Sequence, residues 1–114
     1  MENSKLDFRH FYPEVFQAIA AKDYIVYAYM NDGSIRKLDM KPFIKQGGIF
    51  SVLNDENTFI STLTVLNSSV AWDIKGNRDE YHCIDIDPFV IFNSPIVSDI
   101  PEDELILSKR KSKN

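Results

Sequence analysis

The stretch "RDEYHCIDIDP", Arg78 to Pro88, holds four acids, a tyrosine, a histidine and the only cysteine of the 114-residue chain. Three chemistries use such residues. His82, Cys83, Asp85 and Asp87 offer donor types that bind zinc or a harder cation. Cys83 offers a nucleophile, if a neighbouring base favours its thiolate. Asp85 and Asp87 offer a pair of carboxylates for acid–base work.

The spacing argues against all three. Successive strand residues point to opposite faces, so on a strand "YHCIDI" His82 falls beside Ile84 and Ile86, and Cys83 beside Asp85. The remaining histidine, His10, is far away in the N-terminal leader. Acidic neighbours raise a thiol pKa and disfavour the thiolate, so Cys83 reads as a small buried residue. Asp87 directly precedes Pro88, the pattern of a helix N-cap followed by a first-turn proline. The stretch therefore reads as a structural joint, with no catalytic residue, metal or cofactor expected. A metal-dependent protein or enzyme using the acidic hairpin at residues 79–87 is the alternative.

The elements that must position this joint follow from the pattern. "PEVFQAIAAKD" reads as a first strand with Pro13 at its edge, and "YIVYAYM" as a second, β-branched and aromatic. "NDG", ending at Gly33, and "SIRKLDM" complete a hairpin, because glycine accepts the left-handed conformation its loop requires. A three-residue loop with a glycine bulge sets Val26 opposite Leu38 and Tyr27 opposite Lys37. One face then carries Val26, Ala28, Arg36 and Leu38; the other carries Tyr27, Tyr29, Ile35 and Lys37. "KPFIKQGG" predicts a short helix with Pro42 in its first turn and a glycine stop. Asn54 and Asp55 cap a second helix, on which Phe59 and Leu63 form one buried stripe. "TVLNSSVAWDI" predicts two strands joined at Asn67 to Ser69, with Trp72 alternating with Val70 and Ile74 on the core side. A turn from Lys75 to Glu80 leads into the strand "YHCIDI", and Asp87-Pro88 opens a last helix. This order indicates α+β, a small antiparallel sheet of hairpins with two or three short helices. The domain spans residues 12–98, after a flexible leader (1–11) and before an acidic, then basic, partly disordered tail (99–114).

An apolar fraction of 44% and a charged fraction of 26% describe an ordinary globular protein. No apolar run reaches the roughly 18 residues of a membrane span, and the N-terminus does not read as a secretory signal. A lone cysteine suits a reducing compartment, so the expected location is cytoplasmic. Lys109, Arg110, Lys111 and Lys113 are four of thirteen basic residues; the other nine face seventeen acids, leaving the body at −8. Such a body repels phosphate, which argues against direct nucleic-acid binding except through the basic tail or a partner. Tyr27, Tyr29 and Ile35 either anchor a partner or lie under the chain's own helices or tail.

The ordered series Asp23-Tyr24, "NDGSIRKLD" (Asn31 to Asp39), "KPFIKQGGIFSVLND" (Lys41 to Asp55), "AWD" (Ala71 to Asp73) and "CIDIDPFVIF" (Cys83 to Phe92) resembles the domain-of-unknown-function 2442 family, a small bacterial domain. The resemblance covers residues 12 to 98. It departs where the family has a tight tryptophan–glycine–aspartate hairpin and this chain has a longer turn, "KGNRDEYHC". Nothing transfers to residues 75 to 82. The resemblance implies a small α+β domain of uncharacterised biochemistry, in some relatives fused to a helix-turn-helix domain. Relatives are also often encoded beside another small protein in a toxin–antitoxin-like arrangement. With one domain expected here, a DNA-binding role would fall to a partner. The expected function is thus protein–protein interaction or regulation, antitoxin-like or as an accessory subunit, with an unidentified protein partner or a homo-oligomer.

Overall fold

The computed structural model describes residues 12–105. The leader 1–11 and the basic end 106–114 lie outside them. Strand β1 (Val15–Ala21) turns through Lys22–Tyr24 into β2 (Ile25–Met30), and β3 (Ile35–Asp39) completes an antiparallel meander. Gly33 takes φ 88°, and its N–H donates to the Met30 carbonyl at 3.0 Å. Val26 stands opposite Leu38, and Tyr27 opposite Lys37, the register of the glycine-bulge loop. Pro42 lies in the first turn of α1 (Lys41–Gln46), which stops at Gly47 and passes into a 3₁₀ segment, Gly48–Asn54.

Asp55 caps α2 (Glu56–Ser61), its carboxylate accepting from the Asn57 N–H at 3.2 Å. Phe59 is fully buried on this helix, but the helix ends before Leu63, which instead opens β4 (Leu63–Leu66). A residue four positions on from Phe59 meets the same core from a strand, so the expected helical stripe is half right. Asn67 and Ser68, both at positive φ, close the two-residue turn to β5 (Ser69–Trp72). Two such residues match the twist of an antiparallel pair.

Strand β6 is only Ile84–Asp85, correcting the expected six-residue strand "YHCIDI". Local bonds take the backbone donors at the start of that strand: Asp79 Oδ1 accepts from the Tyr81 N–H at 2.9 Å, and the Asp79 carbonyl from the His82 N–H at 3.2 Å. Such local bonds compete with a ladder. Then come α3 (Pro88–Phe92), the two-residue β7 (Ile96–Val97) and a 3₁₀ turn at Glu102–Glu104.

The two antiparallel sheets run in the orders β1-β2-β3-β7 and β4-β5-β6. With the short helices they make a small α+β fold. The core lies between them, where Val26, Ala28 and Leu38 of the first sheet meet Val70, Trp72 and Ile84 of the second, with Phe59 and Ile91 from the helices. Arg36 belongs to this buried face, 8% exposed, and is accommodated by hydrogen bonds to Ser34 Oγ and the Ser94 carbonyl. Its guanidinium lies 4.4 Å from the Phe92 ring centroid. Residues 99–105, assigned to the tail on sequence, lie on the body: Ile100 packs against it, and Leu105 bridges to Ala21.

Candidate functional site

The joint is built by its own polar groups. Arg78 reaches back to Thr64 Oγ1 and the Val65 carbonyl, at 3.2 and 3.1 Å. Asn67, in the β4–β5 turn, donates to the Glu80 carbonyl at 3.1 Å and to Asp85 Oδ2 at 2.9 Å. Asp87 accepts from the Phe89 N–H at 2.9 Å, the N-cap expected of an aspartate before Pro88. Trp72 is fully buried, and its Nε1 donates to the Phe59 carbonyl at 3.1 Å. The stretch thus ties the second hairpin to α3.

Its chemistry matches that role. His82 Nδ1 lies 2.6 Å from Asp79 Oδ2 in an exposed pair, and the hydrogen bond from His82 holds the Asp79 carboxyl below its ordinary range. Burial, and then the Asp85 charge, push the Cys83 thiol up, away from the thiolate a nucleophile needs. Cys83 is half-buried, not deeply buried as expected. Among the described residues no group of three or more His, Cys, Asp or Glu side chains is arranged to hold a metal ion. No described helix is long and apolar enough to cross a membrane.

The second candidate is the outer face of β2 and β3. The register brings Tyr27, Tyr29 and Ile35 to one side, but that side is not bare. Tyr27 is 1% exposed, in a cluster with Ala21, Ile25, Ile35, Val97 and Ile100. What covers it is the C-terminal strap, from β7 to Leu105, and not a helix. Tyr27 Oη donates to Glu104 Oε1 at 2.5 Å. Burial, followed by this bond to Glu104, pushes the phenol well above its ordinary pKa. Tyr29 and Ile35 remain half-buried.

Beside the strap opens a groove of about 840 Å³. Ile25, Leu38 and Phe43 give it apolar walls; Lys22, Lys37 and Lys41 contribute cations. Asp39 pairs with Lys41 at 3.1 Å, and the strap contributes Asp103 and Glu104 to the rim. Of these cations, the strand pattern places only Lys37 on this face, through its pairing with Tyr27; Lys22 arrives from the turn after β1 and Lys41 from the first residue of α1, which no strand pattern orients. No family model matches the chain, and no curated protein or solved structure matches it.

Proposed function

We propose that this chain is a protein–protein interaction module, a cytoplasmic regulatory or accessory subunit that engages its partner through the β2–β3 face of Tyr27, Tyr29 and Ile35. The observation that carries the reading is the cover on that face. An aromatic side of a central strand lies under a strap attached, among the described residues, by a two-residue strand, a single-residue bridge from Leu105 to Ala21, the Tyr27–Glu104 hydrogen bond and a small apolar cluster. Segments with so few buried contacts open at low free-energy cost. Large aromatic side chains are the residue type that dominates protein interfaces. The ordered motif series of the small bacterial family favours the same class of function, including the antitoxin-like arrangement.

The test is purification of the full-length chain, at natural abundance, from the cells that make it. A stoichiometric protein should co-elute, or the chain should run as a homo-oligomer. Tyr29→Ala should weaken that association at least about tenfold while leaving the circular dichroism unchanged. A lone monomer, or association indifferent to Tyr29, overturns the reading.

A further inference from the structure

The strap has the composition of a ligand for the surface it covers. It reads "IVSDIPEDEL", two apolar residues in strand pairing followed by an acidic turn. Its Val97 and Ile100 pack with Tyr27, and Glu104 accepts from the Tyr27 hydroxyl. The groove alongside changes sign with it. Its lining holds three lysines (Lys22, Lys37 and Lys41) against four acids (Asp23, Asp39, Asp103 and Glu104) while the strap is seated. Two of those four acids belong to the strap, so its departure leaves three lysines against two acids. Among the described residues the ion pairs made by lysine or arginine are Arg36–Asp32 and Lys41–Asp39; neither Lys22 nor Lys37 takes part.

Resting on the protein-binding reading above, we propose that the strap is a stand-in, held in cis, for an extended acidic–apolar segment of a partner protein. When the strap lifts, the sheet offers Tyr27 and an apolar, net-cationic groove, and the incoming segment restores both the apolar contact and the carboxylate at the Tyr27 hydroxyl. Charge complementarity at the groove selects the acidic segment over a neutral or basic one. A closed strap lowers the apparent affinity by the fraction of molecules that are open. Affinity is therefore set in part by how firmly this chain holds its own cover.

The experiment measures fluorescence anisotropy of a labelled peptide, "IVSDIPEDEL", against the full-length chain and against Glu104→Gln and Ile100→Ala. Trp72 emission confirms that each variant retains its core. The wild type should bind weakly, and each variant at least about tenfold more tightly, because loosening the strap raises the open fraction. Binding should weaken with added salt. A peptide with lysine in place of both Asp103 and Glu104 should not bind. Glu104→Gln removes no buried apolar group, so it remains informative if Ile100→Ala unfolds. Folded variants that bind no better than wild type overturn the proposal, as does equal uptake of the lysine peptide. Variants that form a dimer by exchanging straps, without taking up peptide, overturn it in favour of a second copy as occupant. Failure here with a protein still co-eluting from cells sinks the strap's role alone; absence of any partner sinks the interaction reading beneath it.

Discussion

Asp87 concentrates the question of site against joint in one carboxylate. It accepts the Phe89 N–H, and Pro88 after it has no N–H to satisfy. Asp87→Ala should lower stability by about 1 kcal/mol, while Asp87→Asn should be nearly neutral, because either side-chain oxygen can cap. Chemical denaturation of the three proteins measures this. An alanine variant as stable as wild type removes the capping role, and an asparagine variant as damaged as alanine implies that the charge itself matters. Asp85, two residues earlier, is engaged differently, by Asn67 of the β4–β5 turn, so each of the two acids fastens a different part of the joint.

At the scale of the element, the two glycine stops are the sharpest test. Gly33 at φ 88° closes the β2–β3 loop, and Gly47 at φ 89°, ψ −144° ends α1 in a region almost reserved for glycine. Valine at either position should cost about 1–3 kcal/mol, with Gly47→Val at least as damaging as Gly33→Val. That reverses the expectation from Gly47 as a mere helix terminator; thermal melts of both variants decide it. The β2–β3 hairpin was legible because alternation and turn chemistry agreed on one register at Val26 and Leu38. Asp55 and Asp87 were legible because a cap is a local pattern. The strand over "YHCIDI" is shorter than its alternation suggests because Asp79 takes the Tyr81 and His82 N–H groups within a few residues, a competition that apolar alternation does not register. Leu63 was misassigned because a spacing of four from Phe59 describes a helix face yet does not forbid a new strand. Cover of Tyr27 by the tail was one of two readings the pattern allowed; the bond that fastens it was not legible, since Tyr27 and Glu104 lie 77 positions apart and no local periodicity encodes their pairing.

For the whole molecule, closure of the strap couples to pH through Tyr27. Its phenol is raised in the folded state, whereas an unfolded tyrosine ionises at about 10. The folded chain therefore holds that proton more tightly, and stability is independent of Tyr27 below about pH 10 and falls above it, as the unfolded chain ionises first. Wild type should lose stability across that alkaline range more steeply than Tyr27→Phe, which has no phenol to titrate; denaturant midpoints at several pH values compare them. Equal slopes would show that strap closure imposes no such constraint. The same geometry makes the protein its own two-colour instrument. Its single tryptophan, fully buried against Phe59, reports through emission wavelength on the core between the sheets. Tyr27, on the opposite face of β2, lies under the strap, and its share of the phenolate absorbance of the chain's five tyrosines is the difference between wild type and Tyr27→Phe. A perturbation that moves this difference while the tryptophan signal stays still has opened the cover without melting the fold.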